Sequence, residues 1–342
     1  MSGKKKKMGE GDLYALLGVH PQAKDEVILA AKKALLKIYH PDNAKTGDET
    51  MAKRITEAVE LLLDAKKRYQ YDQERIKEAE EPISGYHLIR QIAEGGFGTT
   101  YLAEHLVTGE KVCIKHCHRI SSEDDQIMIQ EAKAIWNLRH FAIPVVRDLI
   151  RLEDGSLALI MSFIPGPTLQ QVVEKKGALH PENVCWIAQR ILNALKYMHY
   201  HGVVHGDIKP PNTIIQPETH TLVVVDYGLS LIKPRSDTIS QGYTPYFAPP
   251  EQERGETLLP ESDFYSLGMT MIYALSGNHD LVRKKEVPED TPDPLCRFIR
   301  KLIVRDVLAR PNWEKIDLFE EIQIVREKCF GRKESHLKDL FE

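Results

Sequence analysis

Residues 200–228 narrow the possible folds of this chain more than any other stretch. They contain His205-Gly206-Asp207-Ile208-Lys209-Pro210-Pro211-Asn212, the apolar runs Thr213-Ile214-Ile215 and Leu222-Val223-Val224-Val225, and then Asp226-Tyr227-Gly228. The order reads as a helix end, a polar loop, an apolar hairpin and a second, acidic loop. These residue types suit phosphoryl transfer to a hydroxyl. The Asp207 carboxylate can orient a hydroxyl and accept its proton. The Asn212 carboxamide, five residues on, and the Asp226 carboxylate can hold Mg²⁺ on phosphates.

The pattern HxDxxxxN, two apolar strands and DxG resembles the catalytic core of protein kinases. The resemblance implies ATP and Mg²⁺ as cofactors and a protein substrate. It assigns catalytic roles to Asp207, Lys209 and Asn212, with Asn212 and Asp226 as metal ligands. Lys209, two residues after Asp207, would reach the γ-phosphate. Together with Thr244 it resembles serine/threonine rather than tyrosine kinases. Upstream, from Tyr86, the apolar period shifts towards two. Leu88, Ile89 and Ile92 lead into Ala93-Glu94-Gly95-Gly96-Phe97-Gly98-Thr99-Thr100. Strand, glycine turn and strand resemble a phosphate-covering loop, where glycines let the backbone approach closely. Lys115, in Val112-Cys113-Ile114-Lys115, would pair with the α- and β-phosphates. A helical run over 125–138 offers Glu131 to hold it. Strands are expected at 145–148 and 157–161, with Met161 behind the adenine and residues 162–166 as a hinge. The ATP-binding set implied is Ala93, Gly95, Gly98, Thr100, Cys113, Lys115, Glu131, Ser162 and Ile164, the last two through backbone groups.

Downstream the resemblance continues in order to about residue 330. A helix from Pro181 carries Val184, Ile187, Ile191, Leu192, Leu195 and Met198 on one face. The activation segment spans 229–251, and Pro249 stands where the family has alanine. Glu251, Asp263 and Arg310 are expected to be structural, with Arg310 pairing Glu251. Ala93 departs from the family's first loop glycine, Thr100 from its valine and Cys113 from its alanine. Gly206 sits where many kinases carry an arginine that pairs with a phosphate on the activation segment. Two readings therefore stand side by side: an active serine/threonine kinase, or a pseudokinase lobe that binds nucleotide or client.

Residues 12–72 read as helical throughout. Asp12 can cap a short helix closed by Gly18. A second helix starts near Pro21 and carries Val27, Ile28, Ala31, Ala34, Leu35 and Ile38 at helical spacing. Its other face holds Lys32, Lys33 and Lys37, and His40-Pro41-Asp42 stops it. A third helix places Ile55, Ala58, Val59 and Leu62 on one face. With Leu13 to Val19, Tyr39-His40-Pro41-Asp42 and Leu62 to Arg68, this stretch resembles a J-domain of the DnaJ family. The resemblance implies a DnaK-type chaperone as partner, bound through Lys32, Lys33, Lys37, His40, Pro41 and Asp42. Lys32 stands where most relatives carry an aromatic. The module has ten Lys/Arg and ten Asp/Glu, so its charge is local to the second helix, where it would steer an acidic partner.

The expected fold class is α+β, a two-lobed kinase-like fold preceded by a small all-α J-domain. The expected division is a disordered basic tail over 1–11, the J-domain over 12–72 and a charged linker over 73–84. The kinase domain follows over 85–331 and a tail over 332–342. A formal net charge of −4 across 342 residues points away from nucleic acid. The absence of a long apolar run points away from the membrane. The lysines at 4–7 have no apolar run after them, so they do not read as a secretory signal. Five scattered cysteines fit reduced thiols and a cytoplasmic location.

Overall fold

The computed structural model describes residues 13–19, 23–39, 43, 47–79, 83, 85–95, 98–117, 122–240 and 242–332. The Asp12 cap, Pro21, the His40-Pro41-Asp42 loop, Gly96, Phe97 and both tails (1–11 and 333–342) lie outside the described residues. The chain divides into two compact units, residues 1–82 and 83–342.

Among the described residues the first unit has four helices: α1 (Leu13–Leu17), α2 (Asp25–Tyr39), α3 (Glu49–Leu63) and α4 (Ala65–Ala79). Asp48 starts α3 by accepting the Met51 N–H at 3.0 Å. Ile55, Ala58, Val59 and Leu62 recur every three to four residues, so one face of α3 packs on Tyr14, Leu17 and Ile28. Only part of the apolar set expected on α2 joins this core. Ile28 is buried and Ala31 and Leu35 are half-buried, while Val27 and Ile38 are 50% and 46% exposed. At helical pitch both lie roughly 90° around the axis from Ile28, which turns them off the core stripe. Arg68 on α4 is a polar hub. Its Nε donates to the Tyr14 hydroxyl (3.0 Å), Nη1 to Asp25 (3.3 Å) and Nη2 to the Ala23 carbonyl (2.8 Å). The Tyr14 hydroxyl in turn donates to Asp72 Oδ1 at 2.8 Å, and burial together with Asp72 pushes its pKa up. Helix α4 runs on to Ala79, so the charged stretch 73–84 is helical at its start.

The second unit begins with a five-stranded antiparallel sheet of order β1-β2-β3-β5-β4. The strands are β1 (Tyr86–Gly95), β2 (Gly98–His105), β3 (Lys111–Cys117), β4 (Val146–Arg151) and β5 (Leu157–Ser162). Alternation sends Val112, Ile114, Ala158 and Ile160 to one face. Leu157, Leu159 and Met161 go to the other, where α5 (Ser122–Ile135) packs through Met128, Ala132 and Ile135. The helix begins and ends about three residues earlier than the sequence pattern indicates. β1 shifts register between Leu88 and Arg90 and again between Gln91 and Ala93. These bulges break its alternation and leave Ile89 and Ile92 exposed.

The remainder is mainly helical: α6 (Leu169–Lys176), α7 (Pro181–Tyr200), α8 (Pro250–Glu253), α9 (Pro260–Ser276), α10 (His279–Lys284), α11 (Asp293–Leu302) and α12 (Leu318–Phe330). Short strands β6 (Val203–Val204) and β9 (Leu231–Ile232) pair, as do β7 (Thr213–Gln216) and β8 (Thr221–Val224). Every residue of α9 from Ser262 to Leu275 is buried, as befits a helix at the centre of a core. Gly268 lets α11 come close: a Cβ there would stand 2.5 Å from the Ile303 side chain and 3.2 Å from that of Leu302. Among the described residues no helix is long and apolar enough to cross a membrane.

Candidate active site

The β7–β8 hairpin buries Ile215, Leu222 and Val224 and so brings the loops at its two ends together. The Val225 N–H donates to the Asn212 carbonyl at 2.9 Å, which ties the acidic loop to the polar one. In the polar loop the Asp207 carboxylate is buried and fully engaged. Oδ1 accepts the Thr244 hydroxyl (2.6 Å); Oδ2 accepts the Asn212 amide (2.9 Å) and Lys209 Nζ (2.7 Å). Lys209 also donates to the Thr244 hydroxyl at 2.8 Å, which closes a ring of contacts around the carboxylate. Because the Asn212 nitrogen is committed to Asp207, the carboxamide oxygen is the atom left to face a cation.

The loop is anchored from below by Asp263 on α9. This buried carboxylate accepts the backbone N–H groups of His205 and Gly206, both at 2.8 Å, and the His199 ring Nε2 at 2.7 Å. The other His199 nitrogen accepts the Trp313 indole N–H at 2.9 Å, so the ring proton sits on Nε2 and points at Asp263. A buried charge held by three N–H donors is compensated rather than stranded. Glu251 and Arg310 form a second buried anchor, bidentate at 2.7 and 2.8 Å, with the Ser262 hydroxyl on Glu251.

Across the cleft, Lys115 on β3 reaches both oxygens of Glu131 (2.8 and 3.0 Å) and Oδ1 of Asp226 (2.8 Å). Burial opposes its charge, but the two carboxylates win and push its pKa up. Asp226 is drawn the other way: burial resists ionisation, yet Lys115 holds its carboxyl at about 2. Asp226 itself has a φ of +64°, in the left-handed region that aspartate tolerates. That turn sends Tyr227 inward, where it packs with Met128 and Ile135 and its hydroxyl donates to the Val224 carbonyl at 2.9 Å. Burial pushes the His205 pKa down, against the pull of Asp263, Asp207 and Asp226, so its ring is neutral beside Tyr227.

Between sheet and helices lies a cleft of about 900 Å³. Ala93, Gly98 and Thr100 line its roof, Cys113 and Met161 its back, and Ser162 and Ile164 its edge. Gly95 pairs with Gly98 at the tip of the β1–β2 hairpin. The Ser162 N–H is committed to the Val145 carbonyl at 2.9 Å, so a contact from this residue to an adenine falls to its own carbonyl. Burial lifts the Cys113 thiol to about 12, which leaves it protonated and inert. Among the described residues no cluster of three or more His, Cys, Asp or Glu could hold a metal alone. One carboxylate and one carboxamide suit Mg²⁺ only when phosphates complete the shell, and that is what Asp226 and Asn212 offer.

Residues 86–331 match the protein kinase domain family, and residues 12–72 match the DnaJ domain family. The chain belongs to the protein kinase family. It is 30% identical over 205 residues to the serine/threonine-protein kinase pkn3 of Myxococcus xanthus, covering 56% of this chain and 38% of that one. It is 32% identical over 204 residues to the serine/threonine-protein kinase PrkC of Bacillus subtilis, covering 57% and 31%. It is also 32% identical over 244 residues to the maternal embryonic leucine zipper kinase of Xenopus laevis, covering 70% and 36%. The chain thus spans about a third of the length of these relatives.

Of the residues singled out in the DnaJ domain, Lys33 and Lys37 are exposed one helical turn apart on α2, while Lys32 is half-buried. His40, Pro41 and Asp42 lie outside the described residues. In the kinase domain the fold adds partners that no short spacing reveals. Thr244 touches Asp207 from 37 positions away, and the Gln252 side chain reaches the Gly206 carbonyl from 46.

Proposed function

We propose that the kinase domain transfers the γ-phosphate of ATP to serine or threonine hydroxyls of a protein. We propose too that the DnaJ domain recruits or stimulates a DnaK-type chaperone. The ring of contacts around Asp207, assembled together with the Lys115–Glu131–Asp226 group, carries this reading. Bound Mg²⁺ would supply charge neutralisation on the phosphates, held by Asp226 and the Asn212 oxygen. The chain's own groups do the rest. Lys115 orients the α- and β-phosphates. Asp207 orients the acceptor hydroxyl and takes its proton as the acceptor oxygen bonds to the γ-phosphorus and the bond to ADP breaks. Lys209 offsets the charge on the moving phosphoryl group. Ser162 and Ile164 would hold adenine through backbone groups.

The rival reading, a nucleotide-binding pseudokinase lobe beside a working co-chaperone, draws on Ala93, Thr100 and Cys113. All three line the cleft, but none removes a polar contact of the catalytic groups. The deciding experiment is γ-phosphate transfer from radiolabelled ATP with Mg²⁺, comparing the full chain with Asp226→Asn. Transfer lost in the variant supports the kinase. Nucleotide binding without transfer in the parent supports the rival. Stimulation of a DnaK-type ATPase that disappears with His40→Gln tests the DnaJ domain separately.

A further inference from the structure

For Thr244 to touch Asp207, residues 229–249 must lie against the catalytic loop. Among the described residues no ion pair joins this segment to that loop. The loop cannot easily supply one at Gly206, whose φ is +74°. A Cβ there would stand 2.6 Å from the Leu229 carbonyl oxygen and 3.1 Å from the Leu258 side chain, so any side chain would displace backbone. Besides the Asp207–Thr244–Lys209 contacts and the β6–β9 pairing, a neutral side chain bridges segment and loop. Gln252 is 3% exposed, and its Nε2 donates to the Gly206 carbonyl at 2.8 Å and to the Gly242 carbonyl at 3.2 Å. One carbonyl belongs to the residue before Asp207, the other to the second residue before Thr244. The base of the side chain is fixed as well, because its neighbour Glu251 is clamped by Arg310. Further along, the Thr257 hydroxyl lies 2.7–3.2 Å from the carbonyls of Arg235, Ser236 and Thr238, again without charge.

We propose that Gln252 is a positioning residue for phosphoryl transfer. Its carboxamide sets Asp207 and Thr244 in register through the two carbonyls, so the domain is competent with no phosphate on Ser236, Thr238 or Ser240. The contacts use the amide nitrogen alone, and Oε1 is buried without a partner among the described residues. That nitrogen brings two N–H donors to two acceptors, whereas a carboxylate brings none. The inference rests on the kinase reading above.

The test uses the full chain purified after phosphatase treatment, with Gln252→Glu and the triple variant Ser236→Ala, Thr238→Ala, Ser240→Ala. Losing two hydrogen bonds and facing carbonyls with a carboxylate should lower kcat of Gln252→Glu about tenfold or more. The KM for ATP should stay within about twofold, since no cleft contact is removed. The deficit should narrow as pH falls, because a protonated carboxyl regains one donor, a recovery that mere loss of packing would not show. The dephosphorylated parent should show linear progress curves from the start. Gln252→Glu with kcat within twofold of the parent, or a parent lag abolished by preincubation with ATP, would overturn the proposal. If Gln252→Glu shows no melting transition, the triple variant decides: a rate within about twofold supports the proposal and a tenfold loss overturns it. A parent that transfers nothing under any condition overturns the kinase reading along with it. A parent that transfers as fast as Gln252→Glu overturns only the role of Gln252.

Discussion

The two units solve the same problem, holding helices in place, by different means. The four-helix unit relies on one apolar core and a hub, Arg68, that keeps partial access to water and bonds to an exposed Asp25. The kinase domain buries its polar anchors outright: Asp263 under the catalytic loop and Glu251 with Arg310 behind the activation segment. The difference follows from what each surface must do. On the proposed function, Lys33 and Lys37 would work by steering, which tolerates loose geometry. In that function Asp207 would work only if a hydroxyl and a phosphate meet within a few tenths of an ångström, and the Asp263 and Glu251–Arg310 anchors that support its loop are desolvated and paired.

The sharpest way to press this contrast is at Asp207. Asp207→Ala should cut transfer by about 10²–10⁴-fold while nucleotide affinity is retained, measured by radiolabel transfer beside calorimetry. Next in size is Arg310→Ala, which strands the buried Glu251 carboxylate. It should cost about 3–5 kcal/mol in denaturant unfolding of the kinase domain. The matching change in the other unit, Arg68→Ala, removes hydrogen bonds that water partly replaces. It should cost only about 1–2 kcal/mol, and an equal cost at the two sites would break the comparison.

Acid should separate the units too. The folded-state pKa of His205 is depressed, as is that of His140 by burial, so the unfolded chain takes up their protons first. Their contribution to stability is therefore whole above about pH 6.5 and is lost progressively as pH falls below it. Asp226, held at about 2, adds a second loss between the ordinary carboxylate range and that value. Hydrogen exchange followed residue by residue from pH 7 to 5 should show amides of the kinase domain losing protection before those of α3. The reverse order would show that a different titration governs acid unfolding.

Legibility in the sequence tracked contact range. Asp207, Lys209 and Asn212 sit within six residues, and the hairpin after them sets where Asp226 falls, so the resemblance to the kinase motifs could be read from a short stretch and implied one loop system for all four. The core stripe of α3 was equally plain, since it repeats with the helix turn. β1 was legible as a strand but not in its facing: its two bulges shift the side-chain alternation, and no local pattern distinguishes a bulge from a strand that simply carries more apolar residues. On α2 the apolar residues were visible but not their facing, because Val27 and Ile38 sit at the margin of the stripe and packing alone decides which margin is covered.

What one-dimensional information carried was the family and the order of the motifs, because these depend on residue type and short spacing. The resemblance implied the Lys115–Glu131 and Arg310–Glu251 pairs, and the fold forms both, but only the fold showed the further contacts around them. Lys115 also meets Asp226 across 111 positions, and Thr244 and Gln252 reach the catalytic loop from within and just beyond the activation segment. Such contacts depend on how sheet, hairpin and α9 pack in three dimensions. The same side chains at the same spacings would be silent if that packing moved them an ångström apart.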